Sequence, residues 1–211
     1  VFVYTNAAFA RALALAAQCA KLAHRPNLER RWRQAAARLK AAALALYNGE
    51  FFPRGLRQDG ALDDVVDSST LGLCEPWKLL SPHHPQERQM LVSNVRAIEA
   101  RLLQTLPEGQ GLRRFEGDGY LGGVVGCVNT LWLAQVYLTL AVAEQAENPA
   151  EAASFRDQAL RYIRVCLRRA TPTGLLPELI GLQPDTPYWA APHAWASALL
   201  VRCALLWGQM G

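Results

Sequence analysis

A glutamate follows a proline in Gly174-Leu175-Leu176-Pro177-Glu178, and that placement suits acid/base chemistry. Pro177 has no backbone N–H and biases Leu176 away from helical conformation, so Glu178 falls on a stiff, non-helical segment. Leu175, Leu176, Leu179 and Ile180 surround it with apolar side chains. A carboxylate in such a setting has its charge governed by its surroundings, as general acid/base work requires. By itself the run also describes a surface turn with one solvated glutamate. A second group, Arg113, Arg114, Phe115, Glu116, Asp118 and Tyr120, closes on Gly122-Gly123. Asp185, Tyr188, Trp189 and His193 follow Glu178. Rings stack on sugar faces and charged groups bind hydroxyls, so this mixture composes a site for a polyhydroxylated ligand.

The elements that must carry these residues are helical. Phe9, Leu13, Ala16, Ala17 and Ala20 recur at helical spacing, with Thr5 or Asn6 as N-cap. Trp32, Ala36, Leu39, Ala43 and Leu46 form a second face that ends at Asn48-Gly49. Further helices are expected over 63–75, 86–104, 124–145, 149–170 and 192–209. No stretch alternates with period two, so strands should be few and the fold class all-α. Links at His24-Arg25-Pro26, Ser81-Pro82-His83-His84-Pro85 and Glu147-Asn148-Pro149 are short, which makes their helix pairs antiparallel neighbours. Long connections at 48–62, 105–123 and 171–191 alternate with them. In an up-and-down arrangement all long loops leave from one end, and loops on a rigid scaffold commonly bear function. The first of them contributes Phe51, Phe52, Arg54, Arg57 and Asp59.

Composition narrows the classes. At 211 residues, 51% hydrophobic and 19% charged, the chain is expected to be one globular domain over 1–211. The formal charge of +4 is spread over several helices, as at Arg30-Arg31 and Arg168-Arg169, so no nucleic-acid stripe is expected. No uninterrupted apolar run reaches the length of a membrane span, and no signal peptide is visible at Val1–Asn6. Cys19, Cys74, Cys127, Cys166 and Cys203 are odd in number and widely spaced, which reads as buried free thiols and a cytoplasmic, reducing compartment. His24, His83, His84 and His193 make no ligand spacing, so neither metal nor cofactor is expected.

Taken in order, several segments resemble a known family. They are Leu62-Asp63-Asp64-Val65-Val66-Asp67-Ser68-Ser69, Arg114-Phe115-Glu116-Gly117-Asp118-Gly119-Tyr120-Leu121-Gly122-Gly123, Thr130-Leu131-Trp132-Leu133-Ala134, Gly174–Glu178 and Pro192-His193-Ala194-Trp195. The set is similar to the C-terminal half of the glucoamylase-like glycoside hydrolases, family fifteen. That resemblance implies part of an (α/α)6 barrel, about seven helices paired as antiparallel hairpins with long loops on one face. It also implies inverting hydrolysis of α-glucosides, with an α-glucoside or oligosaccharide as ligand. By position, Glu178 corresponds to the general base that activates water. Arg114 corresponds to the arginine that binds sugar hydroxyls. Asp118, Tyr120 and Trp195 fall in matching ligand-binding segments, and Trp189 is the loop ring best placed to stack on a sugar.

Departures accompany the match. Phe115 replaces a tyrosine, Val124-Val125-Gly126 stands where the family has Pro-Trp, and Ala196-Ser197 stands where it has Ser-His. The family's general acid, a glutamate beside a tryptophan, lies ahead of the helix that Val1–Ala10 begins, so the acid is expected outside this chain. Two other readings stay open. One is a non-catalytic carbohydrate-binding or regulatory module. The other is a helical scaffold whose open inner face is covered by the missing half or a second copy. Structural roles are expected for Asp67 as a helix cap, for His193 as a hydrogen-bonding residue, and for Trp32, Trp77, Trp132 and Trp207 as core.

Overall fold

A computed structural model describes residues 1–182 and 189–210; Asp185 and Tyr188 lie outside the described residues. The chain divides into two units, Val1–Ala97 and Ile98–Gly211. The whole is helix-rich with minor sheets.

In the first unit, α1 (Val3–Leu22) packs on α2 (Pro26–Leu44). Small side chains at Ala7, Ala10, Ala17 and Ala20 are buried on α1, with Ala36 and Ala43 on α2, and let the two backbones approach closely. The first helix begins before the expected Thr5 or Asn6 cap. Phe2 bridges to Gly55, and the Val1 carbonyl accepts from the Leu56 N–H at 2.8 Å, so sheet-like bonding fixes the entry to the helix. Asn6 instead donates its side-chain amide to the Phe2 carbonyl. The second helix stops at Leu44, short of Asn48-Gly49, because Asn48 builds a turn. Its side-chain oxygen accepts from the backbone of Glu50 and Phe51 at 3.0 and 2.9 Å.

Residues 63–75, expected to be one helix, are instead a strand followed by a 3₁₀ turn. The segment opens as strand β2 (Leu62–Val66), paired antiparallel with β1 (Pro53–Leu56). The β-branched pair Val65-Val66 favours extension, and Arg54 Nε bonds Asp63 Oδ2 across the hairpin at 2.7 Å. Asp67 then caps a 3₁₀ helix, Ser68–Leu73, by accepting from the Ser69 N–H at 2.8 Å, the capping role expected of it. Beneath this turn Asn94, on α3 (Pro85–Leu102), is fully buried. Its oxygen accepts from the Phe52 N–H at 2.9 Å and its amide donates to Thr70 Oγ1 at 3.1 Å.

In the second unit α3 runs directly into β3 (Leu103–Leu106), which turns back through Pro107-Glu108 into β4 (Gly109–Leu112). The apolar helix α4 (Cys127–Glu144) is the core of this unit, packed by α5 (Pro149–Arg168) and α6 (Ala194–Gly208). By length and composition α4 could cross a bilayer, yet 72% of it is buried inside the protein. Asn148 caps α5 and Pro149 takes its first position. His193 caps α6, its Nδ1 accepting from the Ala196 N–H, as a structural histidine should. β5 (Val125–Gly126) pairs antiparallel with β6 (Leu179–Ile180). Of the tryptophans expected in the core only Trp132 is fully buried; Trp32 and Trp77 are half-buried, and Trp207 is exposed beneath the Arg156 guanidinium. The cysteines are free thiols, all buried except Cys19.

Replacing Asn94 with alanine strands the buried Phe52 N–H. The expected outcome is a loss of about 1–3 kcal/mol in a denaturant titration, with no change in a surface control such as Arg38→Ala.

Candidate functional site

The segment around Glu178 is held by its main chain. Its N–H donates to the Trp189 carbonyl at 3.0 Å, and its own carbonyl accepts from the Cys127 N–H at 2.8 Å. Cys127 is the first residue of α4, so one of that helix's unpaired N-terminal donors is spent on this segment. On one side of Glu178, buried Leu176 accepts from the His193 N–H at 2.9 Å. On the other, β6 pairs with β5. Pro177 therefore breaks the helical path, and these bonds decide where the broken path goes. The Glu178 side chain is half-buried.

Arg114 and Asp118 form the strongest polar pair nearby. Arg114 donates from Nε to Asp118 Oδ2 at 2.6 Å and from Nη2 to Oδ1 at 2.5 Å, a two-pronged contact. Asp118 is only 8% exposed, and its Oδ1 also accepts from the Tyr120 N–H at 3.0 Å. Burial pushes the Asp118 carboxyl up, but the Arg114 bond and the Tyr120 N–H outweigh it and hold the group below the ordinary value. The guanidinium is correspondingly pushed up, first by its bond to Asp118 and, among the smaller causes, by the negative charge of Glu178. Glu178 thus lies within electrostatic reach of Arg114.

Rings complete the group. The Arg114 guanidinium lies 4.7 Å from the centre of the Tyr120 ring, and Tyr120 meets Trp189 edge-on at 6.5 Å. Both rings are about half exposed and offer free edges and faces to solvent. The backbone turn that presents Tyr120 needs glycine at 123. Its φ is +72°, and an added Cβ would come within 2.6 Å of the Asp118 carbonyl oxygen.

The structure thus brings together Arg114, Asp118, Tyr120, Trp189 and Glu178 from two long connections of the second unit. Trp195 stands on the first turn of α6, against Trp132 at 5.5 Å, and remains half exposed. Glu116, in the same stretch, faces Arg101 at 3.9 Å. The sequence did not reveal that the Trp189 carbonyl and the Cys127 N–H would clamp the Glu178 backbone, because main-chain bonds leave no mark in residue type. Along α4, the Cys166 thiol donates to the Cys127 carbonyl at 3.7 Å and Cys203 to the Leu131 carbonyl at 3.6 Å; burial pushes Cys203 up to about 12, so it packs as a neutral thiol. Among the described residues no group of three or more His, Cys, Asp or Glu side chains could hold a metal ion. Chemically, the arrangement offers a carboxylate beside a fixed guanidinium and two accessible rings.

No protein-family model matches the chain. An uncharacterized glycosyl hydrolase of Methanocaldococcus jannaschii is 25% identical over 203 residues, covering 95% of this chain and 31% of that protein. A bacterial glucoamylase solved with acarbose superposes with a TM-score of 0.72 at 15% identity, over 99% of this chain and 33% of its own. Glucoamylase from Saccharomycopsis fibuligera gives 0.70 at 17% identity, over 99% and 56%. A glycosidase solved in complex with glucose gives 0.67 at 22% identity, over 100% and 53%. The chain has the fold found in part of the glucoamylases, and it spans about a third of its curated relative.

The pair at Arg114 sets a pH signature. Asp118→Asn is expected to cost about 1.5–3 kcal/mol at neutral pH. Because the folded carboxyl titrates below its ordinary value of 3.8, its contribution is complete above that pH and is lost as pH falls further. Denaturant titrations of both proteins should therefore differ fully at pH 7 and converge only in strong acid.

Proposed function

We propose that the protein carrying this chain is an inverting glycoside hydrolase acting on α-glucosides, and that this chain supplies its general base, Glu178. The observation that carries this reading is the meeting of Glu178 with Arg114, Tyr120 and Trp189 on a backbone clamped from two sides. In the proposed reaction the Glu178 carboxylate takes a proton from the water that attacks the anomeric carbon. Arg114 donates to hydroxyls of the sugar and holds it beside the Glu178 carboxylate. Trp189 and Tyr120 provide ring faces for the sugar, and Trp195 a further wall. Asp118 acts one step removed, since both its oxygens are engaged by Arg114.

Inversion requires a second carboxyl group about 6.5–9.5 Å from the base. The reading gives that role to no residue of this chain and places the acid in the remainder of an (α/α)6 barrel. Exposed apolar side chains on α6, Val201, Leu205 and Trp207, support such a remainder or a second copy as the covering partner.

One observation favours a second reading, carbohydrate binding without turnover. Val125, where the resemblance leads one to expect part of a Pro-Trp wall, is fully buried and paired with Ile180. That segment supports Glu178 from beneath and offers no ring to a sugar.

Glu178→Gln in the full-length protein separates the two. The hydrolase reading expects α-glucoside hydrolysis to fall about 10²–10⁴-fold while the circular dichroism spectrum and melting midpoint stay put. Equal activity in both proteins would sink the assignment. Saturable maltose binding by an unmodified protein that shows no turnover would establish the second reading.

A further inference from the structure

Away from Glu178, the outer face of α5 and the β3–β4 hairpin border an open cleft of about 280 Å³. Its chemistry is unlike that of the sugar site. Arg161, Arg164 and Arg168 line it at helical spacings of three and four, so they stack on one face of α5. All three are exposed, and among the described residues none has an ion pair. Arg168 makes a long bond, 3.4 Å, to the Glu108 carbonyl.

Asp157 stands one turn before Arg161 without bonding it, and the nearer carboxylates are engaged elsewhere. Glu108 faces buried Arg169 at 3.0 Å. Glu99 accepts from the Tyr162 hydroxyl at 2.6 Å, and that hydroxyl accepts in turn from Gln158. Three guanidiniums therefore line one side of a concavity whose one lining carboxylate, Glu108, already has a partner. Guanidinium forks match the paired oxygens of phosphate, and three of them suit a doubly charged group better than a single carboxylate. The volume lies at the lower edge of small-ligand pockets, which fits a phosphorylated monosaccharide or a pyrophosphate and not an enclosed polymer.

We propose that this cleft is a binding site for a small phosphate-bearing molecule, separate from the Glu178 site. The experiment is calorimetric titration of the full-length protein carrying this chain with sodium pyrophosphate and with glucose 6-phosphate, at low salt. Saturable one-site binding of at least one of them is expected. The combined change Arg161→Ala, Arg164→Ala and Arg168→Ala should weaken it about tenfold or more at an unchanged melting midpoint, since all three side chains are exposed. Should the triple variant fold poorly, Arg164→Gln alone should still weaken binding. Arg114→Lys should leave it intact, which keeps this result independent of the proposed hydrolase. No saturable heat with either probe up to ~5 mM would overturn the proposal. So would binding undiminished in the arginine variants, binding lost in Arg114→Lys, or capture by anionic vesicles alone.

Discussion

Two main-chain hydrogen bonds hold the candidate site together, and both belong to Glu178. The residue lies in the connection between α5 and α6, outside any helix, yet a buried backbone must still satisfy its polar groups. The Trp189 carbonyl and the Cys127 N–H meet that demand. Each bond couples the catalytic candidate to something else. Through Trp189 it is tied to a ring that touches Tyr120; through Cys127 it is tied to the start of the core helix α4. A carboxylate on a loop thereby gains the positional precision of a helix end. The short β5–β6 pairing and the His193 bond to Leu176 restrain the flanking residues in the same way.

Charge is organised around the same point. Arg114 could have been a solvated surface arginine, and its spacing to Asp118 permits that reading. Burial of Asp118 changes its meaning. A nearly inaccessible carboxylate must be paired or accept several donors, and here it does both. The pair fixes the guanidinium plane, the guanidinium lies over Tyr120, and Tyr120 meets Trp189. Gly123 makes the turn possible because any side chain there would strike the Asp118 carbonyl. The polar and aromatic halves of the site are one connected set.

Much of this was legible in the sequence, and the failures have physical causes. Helical periodicity located α3, α4, α5 and α6 to within a few residues, since long amphipathic or apolar helices repeat their signal many times. Asp67 is legible as structural because a short acceptor before a helix suits a cap, and His193 because it follows Pro192 where a helix starts. The segment 63–75 misled because Leu62–Val66 is too short to show alternation and its partner lies across a hairpin. The β3–β4 hairpin falls across the end of the expected helix 86–104 and the start of the connection 105–123, where only Pro107-Glu108-Gly109 marks a turn. Ends of helices shifted where Asn48 served a turn and where Phe2 joined a strand. Within the site, residue types pointed to Arg114, Tyr120 and Glu178. The clamp on Glu178 is made of backbone and could only be seen in three dimensions.

The central claim is that Glu178 and Arg114 face one bound sugar. A crystal structure of the full-length protein with glucose tests it most directly. The account predicts sugar hydroxyls on the Arg114 guanidinium, a ring face of Trp189 or Tyr120 against the sugar, and a water between Glu178 and the anomeric carbon. Glucose bound away from Arg114, or a Glu178 carboxylate turned from the occupied site, would contradict it.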